Sequence, residues 1–264
     1  MLRVHFLNVG HGDCTIIKHP SGRLTMIDVN NSQDFDAETF AEELEEERRK
    51  HRNLGTLLGA GGGGLFDAGS LLGGGGLGNL SEYAAVADRA KRELTDPIEF
   101  LKSTYPNEKL WCFVLTHPDL DHMRGLKALY ENIGFTNFWD TNHTKTKPDF
   151  RSDADKDDWN FYQWLRSANG PMKPRMYTRG DAYYAFAKEQ NGMLGGDNIE
   201  VLSPTPELVG ECNAAEKSND LSIVIRVHHA RRSVLLPGDW RKARGMKWSA
   251  GRDTGYTLER AQTH

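Results

Sequence analysis

The first thirty residues alternate between short apolar runs and tight turns. Residues 2–8 (LRVHFLN), 14–18 (CTIIK) and 23–28 (RLTMID) are apolar runs separated by Gly10 and by Pro20-Ser21-Gly22. This pattern predicts three strands with short connections, hence antiparallel neighbours. Residues 36–52 (DAETFAEELEEERRKHR) place acids first and bases last, which predicts a solvated surface helix matched to its own dipole. A second helix is expected over 81–103. Residues 109–116 form an almost unbroken apolar run, the pattern of a central strand buried on both faces. An amphipathic helix over 122–132, a strand over 135–139, a polar loop over 140–158 and a helix over 159–167 follow. Residues 198–202 read as a strand before a turn at Pro204 and Pro206. Residues 221–228 and 232–237 read as a hairpin around His229-Ala230-Arg231. No clear period marks 170–197. Interleaved strands and helices of this kind predict an α/β fold.

Length and composition narrow the picture. A chain of 264 residues suits one large α/β domain and can bury a sizeable core. Residues 53–80 are glycine-rich with scattered leucines. They lack the GxxxxGK[ST] and GxGxxG spacings that cradle phosphate, so the segment reads as a loop or insertion. The formal net charge of -4 excludes a generally basic, phosphate-seeking surface; a polyanionic substrate would need a local cationic patch or a metal. Scattered bases such as Lys18, Arg124, Arg226, Arg231 and Arg232 are candidate phosphate contacts, with solvated surface as the ordinary reading. The three cysteines, Cys14, Cys112 and Cys212, are widely spaced and form neither a disulfide framework nor a thiolate zinc site. The N-terminus has no secretory pattern and no run is long enough to span a bilayer, so a cytoplasmic protein is expected. Residues 241–264 show no apolar strand and read as an atypical or truncated tail.

One segment concentrates chemistry. Thr116-His117-Pro118-Asp119-Leu120-Asp121-His122 holds two imidazoles and two carboxylates just after the buried strand and before a helix. Polar side chains at the carboxyl end of a sheet strand converge readily on a ligand. Oxygen and imidazole donors without thiolate suit a catalytic Zn²⁺ or Mn²⁺ site. Either Asp121 as a helix N-cap or His117 as a core histidine is the plainer reading of one residue alone, but capping needs a single side chain and does not explain all four.

This segment resembles the HxHxDH motif of the metallo-β-lactamase superfamily, with Asp119 where the second histidine would stand. The opening FLNVGHGDCTIIKHPSGRLTMIDVN looks like the start of the superfamily's ComEC-like branch, named for the competence DNA-uptake protein. SNDLSIVIRVHHARRSVLLPGDW looks like that branch's N-x-x-S strand and following GD loop. The resemblance implies an αββα sandwich of two mixed or antiparallel sheets with outer helices. It also implies a site for one or two divalent ions. His117 and Asp119 would serve one ion, Asp121 and His122 the other, and Asp239 would bridge them. Asp28 would brace the metal loop, with Asn219 and Ser222 supporting. Asp121 or Asp13 would orient the attacking water or take its proton.

Two departures from the pattern bear on activity. The superfamily's third histidine has one candidate, His143, which is either a ligand or a surface-loop residue. The tail also lacks the HHG-type motif that would complete the second site. Three functions therefore stand open: metal-dependent phosphodiester hydrolysis of nucleic acid or a nucleotide; hydrolysis of a lactone, β-lactam or other small ester or amide; and a degenerate metal-binding regulatory domain without turnover.

Overall fold

A computed structural model describes residues 1–31, 92, 94–181, 197–229 and 231–239, and the backbone of 246–251 and 255–260. They belong to one compact unit, apart from residues 92 and 94. The expected helix over 36–52, the glycine-rich stretch over 53–80 and most of the helix expected over 81–103 lie outside the described residues.

The chain is mixed α/β. Strands β1 (Arg3–Phe6), β2 (Thr15–Lys18) and β3 (Leu24–Ile27) form an antiparallel meander. Helix α1 (Pro97–Thr104) leads to β4 (Leu110–Val114), which pairs parallel to β3. After a 3-10 turn at Leu120–His122 come α2 (Leu126–Asn132) and β5 (Phe135–Trp139), parallel to β4. The result is a five-stranded mixed sheet in the order β1-β2-β3-β4-β5. Helix α3 (Asp153–Arg166) follows. A second, three-stranded antiparallel sheet is built from β6 (Ile199–Ser203), β7 (Val224–His229) and β8 (Arg232–Leu236). Helix α4 (Pro206–Ala214) and a 3-10 turn at Asn219–Leu221 lie between β6 and β7.

Side chains alternate across a strand, so each strand of the larger sheet serves two cores. Ile16, Met26, Phe113 and Phe138 join one apolar cluster with Leu101 of α1, Leu126 and Leu129 of α2, and Trp159, Tyr162 and Leu165 of α3. Their strand neighbours Ile17, Ile27, Cys112, Val114 and Trp139 join a second cluster with Val201, Ile225, Val227 and Leu236 of the smaller sheet. The larger sheet is thus apolar on both faces, as the continuous run over 109–116 requires. On the smaller sheet, Glu200, Arg226 and His228 form a polar group: Glu200 accepts from Arg226 Nε at 2.8 Å and lies 3.2 Å from His228 Nε2.

Four elements depart from the sequence reading. Helix α2 begins at Leu126 rather than 122, because residues 120–122 form a 3-10 turn and Gly125 precedes the helix. Helix α3 begins at Asp153 rather than 159, because Ser152 caps it by accepting from the Asp155 amide at 3.1 Å. Residues read as a turn at Pro204 and Pro206 open α4, with Thr205 as N-cap and Pro206 in the first turn. Residues 241–264 are not without strands: β9 (Met246–Gly251) and β10 (Gly255–Arg260) pair antiparallel from Met246↔Arg260 to Gly251↔Gly255. The signal was a period of two, Met246, Trp248 and Ala250 in one segment and Tyr256 and Leu258 in the other.

Candidate metal centre

Strands β3 and β4 are parallel neighbours, so their carboxyl ends meet. Asp28 follows β3 and the His117–His122 loop follows β4. The chain beyond β3 continues against that loop: the Asp28 amide donates to Val114 O at 2.8 Å, and Val29 to His122 O at 3.0 Å. Asp28 itself adopts a left-handed φ of 54° and is completely buried. Its carboxylate accepts from the Thr116 amide at 2.7 Å, the Thr116 hydroxyl at 2.6 Å and His122 Nδ1 at 2.8 Å. It therefore holds both ends of the metal-type motif.

These bonds set the histidine tautomers. The Thr116 hydroxyl gives its proton to Asp28, and the Ser222 hydroxyl gives its proton to Asn219 O at 2.8 Å. Both oxygens can then only accept from His117 Nδ1, which lies 3.1 Å from Thr116 Oγ1 and 3.3 Å from Ser222 Oγ. His117 Nδ1 carries the hydrogen, and its Nε2 has a bare lone pair. His122 Nδ1 is likewise committed as a donor to Asp28. Both Nε2 atoms are buried and make no hydrogen bond, while the two rings lie 4.1 Å apart by centroid. Unpaired buried polar nitrogens are costly, and two of them facing one place is the arrangement of a ligand pair. Hydrogen bonds at Nδ1 of this kind orient metal-binding imidazoles.

Carboxylates surround the pair. His117 Nε2, His122 Nε2 and an Asp239 oxygen lie within 4.8 Å of one another. Asp239 Oδ1 is 3.6 Å and Asp121 Oδ2 3.8 Å from His122 Nε2, and Asp119 Oδ2 is 3.7 Å from His117 Nε2. A second grouping of Asp13, Asp28 and His122 is equally compact. It is the poorer metal site, because Asp28 and His122 Nδ1 already spend their atoms on each other and on Thr116. Asp119 precedes the 3-10 turn and the next helix starts after Gly125, in neither case with a side-chain cap, so capping explains neither Asp119 nor Asp121.

The charges of the cluster shift one another. Burial and the nearby His122 charge hold the His117 ring below the usual imidazole range. Burial opposes charge on His122 too, but Asp28, Asp239 and Asp121 overcome it and push its pKa up to about 11. Partial burial and the charge of Asp28 raise the Asp13 carboxyl, with Asp239 and Asp121 adding and His122 opposing. Asp119 is lowered despite burial, by His117 and by Lys145, whose ammonium donates to Oδ1 at 2.7 Å; Ser218 Oγ donates to the same oxygen at 3.0 Å. Asp119 thus keeps Oδ2 toward His117 and spends Oδ1 on a counter-charge.

Two glycines allow the close approach of the flanking loops. At Gly12 (φ +112°) a Cβ would stand 2.2 Å from the Asp121 carbonyl oxygen, which explains the GHGD loop lying against Asp121. At Gly238 (φ +54°) a Cβ would press on the Thr116 side chain at 3.1 Å, which explains the glycine preceding Asp239.

His143 does not join the group. It is buried, not a surface-loop residue. Tyr162 donates its hydroxyl to Asp140, so His143 Nε2 donates to Tyr162 Oη at 2.5 Å, and His143 Nδ1 accepts from the Lys145 amide at 3.0 Å. Both nitrogens are spent. Three of the candidate phosphate contacts are also committed: Lys18 pairs with Glu108, Arg124 Nε with Asp155 at 2.8 Å, and Arg226 with Glu200. Missed by the sequence reading were Thr116, the relay from Asp28 to His117; Lys145 and Ser218, which hold Asp119; and His11, exposed, with Nε2 3.5 Å from Asp121 Oδ2. Asp158 was missed as well: it accepts from the amides of Gly125 at 2.7 Å and Lys127 at 3.0 Å, fixing the start of α2 behind the loop.

No protein-family model matches this chain, and no curated protein matches it significantly. Among the described residues, no helix is long and apolar enough to cross a membrane.

Proposed function

We propose that this chain is a metal-dependent hydrolase of the metallo-β-lactamase type, in its ComEC-like branch, and that it cleaves phosphodiesters. The observation that carries the reading is the pair of buried Nε2 atoms of His117 and His122 with Asp239 beside them: His117 is fixed as the tautomer that offers its Nε2 lone pair, and His122, whose Nδ1 is committed to Asp28, would give up its Nε2 proton to an incoming ion. Two sheets sharing an apolar core, with helices against the far face of the larger one, are consistent with an αββα sandwich. His117, His122 and Asp239 would hold a Zn²⁺ or Mn²⁺ ion, with Asp119 Oδ2 and Asp121 Oδ2 on opposite flanks available to it or to a second ion. A divalent ion bound there supplies Lewis acidity and an acidified water.

The chain's own residues then have distinct tasks. Asp28 holds Thr116 and His122 and, through Thr116, the tautomer of His117. Lys145 balances the charge of Asp119. Asp13, whose carboxyl is raised, accepts a proton more readily than an ordinary surface aspartate, and Asp121 orients the nucleophile.

The test is turnover of bis(p-nitrophenyl) phosphate with Zn²⁺ or Mn²⁺ present, alongside nitrocefin and a simple lactone. Phosphodiester turnover that disappears in Asp121→Ala supports the assignment; unchanged turnover in that variant sinks it. Turnover of the lactone or nitrocefin alone would favour the small-ester or amide reading. A metal-binding domain without turnover is the second reading, favoured by one observation: His143 has no nitrogen to spare. Metal binding with no hydrolysis of any of the three substrates would establish it.

A further inference from the structure

Beside the metal centre is a cavity with space of about 400 Å³, between the segment following β5 and the end of α4. Its walls are tied together. The Thr144 amide donates to Asn213 Oδ1 at 3.1 Å, and Asn213 Nδ2 donates to Asn142 O at 2.8 Å. Three lysines line it, Lys145, Lys147 and Lys217, against one acidic residue, Glu216; the Lys145 ammonium is held by Asp119, which leaves Lys147 and Lys217 for an anion. Ser218 and Asn213 also line it, with the Ser218 hydroxyl committed to Asp119 and the Asn213 amide tying the two walls together. In a chain of net charge -4 this is a local concentration of positive charge. Lys145 and Ser218 are also the residues that hold Asp119 Oδ1, so one wall of the cavity is the outer side of the metal centre. Lys147 stands 5.3 Å from the Phe150 ring, and among the described residues neither it nor Lys217 pairs with a carboxylate.

We propose that this cavity is an anion site that takes a phosphate group of a small, nucleotide-sized substrate next to the bond cleaved at the metal centre. The proposal rests on the reading of that centre as hydrolytic and deepens it by naming the substrate's size and charge. Small-ligand pockets span about 300–1,000 Å³, so the volume suits a mononucleotide. A continuous nucleic-acid strand needs a cationic track along its backbone. Here the other candidate bases are spent or remote. Lys18, Arg124 and Arg226 are held by carboxylates. Arg232 begins β8 whereas Asp239 follows its end, about 13 Å of strand away.

Binding of inorganic phosphate and of a nucleoside 5′-monophosphate is measured by calorimetry on the full chain. The wild type is compared with Lys147→Ala/Lys217→Ala and with His117→Ala, folding of each being checked by circular dichroism. Loss of two ammonium contacts is expected to weaken binding at least about tenfold, while His117→Ala retains it. Binding lost in His117→Ala but unchanged in the lysine variant would place the anion on the metal. That result overturns the cavity proposal and leaves the hydrolase reading standing. Absence of phosphate and nucleotide binding in the wild type overturns it as well. So does affinity for a single-stranded DNA 12-mer that far exceeds the mononucleotide's and depends on the same lysines. Retained anion binding with no hydrolysis of any phosphodiester would instead fail the hydrolase reading and keep the site.

Discussion

Asp28 Oδ2 and His122 Nδ1 lie 2.8 Å apart in a fully buried pair, and the same carboxylate oxygen takes the Thr116 hydroxyl at 2.6 Å. One carboxylate therefore sets the ring orientation of His122 directly and that of His117 through Thr116. Substitution Asp28→Asn keeps the volume but puts an amide NH2 among three donors. Leaving buried charged or donor groups unpaired costs about 3–5 kcal/mol, and loss of an outer-shell carboxylate lowers metal affinity about 10–100-fold. Urea unfolding and metal titration of the variant check the two effects. A stable variant with unchanged metal affinity would contradict the role given to Asp28.

The approach of the GHGD loop to Asp121 gives a second prediction. Gly12→Ala sets a methyl 2.2 Å from the Asp121 carbonyl oxygen at a φ of +112°, whereas Gly22→Ala, at φ +91°, meets nothing within 4 Å. Both carry a backbone cost of about 1 kcal/mol; only Gly12→Ala must also displace the loop. Thermal melts should show a larger loss for Gly12→Ala, and only that variant should lose turnover. Equal effects from the two substitutions would show that the close approach is unimportant.

Acid sensitivity follows from His143. Burial, with Arg166 and Lys145 nearby, lowers its pKa to about 3 from an ordinary 6.5. Protons then bind the unfolded chain but not the native one between those values, so this contribution to stability is present above pH 6.5 and is lost as pH falls toward 3. His19, lowered to about 4 by burial, acts in the same direction. Asp140, raised to about 6 by burial, acts in the opposite one, with the native state holding an extra proton between 3.8 and 6. Asp13 and Asp158, also raised, act with Asp140, and His117, also lowered, acts with the two histidines, so the share of His143 is read as the difference between wild type and variant from about pH 6 to 4. Melting temperature measured across that range should fall more, or rise less, on acidification in the wild type than in His143→Gln. An identical slope in the variant would remove His143 as its source.

The strands were legible because apolar runs and turn residues bound them closely: β5 has the expected ends and β4 falls within two residues of its own. Residues 140–158 were not legible as partly helical, because acids dominate the first turns of α3. Two of those acids are buried anchors, Asp155 for Arg124 and Asp158 for α2, and such partners lie some thirty residues away in sequence. The same limit hid His143, whose ring is held by Tyr162, and Lys145, whose partner is Asp119. Within the site, the residue types and spacing of the His117–His122 segment were readable. The tautomers that make those residues useful depend on contacts across strand ends and were not.

The most direct test of the account is metal content. The purified chain, stripped with a chelator and reloaded with Zn²⁺ or Mn²⁺, is analysed by inductively coupled plasma mass spectrometry, beside His117→Ala and His122→Ala that circular dichroism shows to be folded. At least one ion per wild-type chain is expected, with loss of that ion in each variant. A wild-type chain that retains no divalent ion, or variants that retain as much as it does, would contradict it.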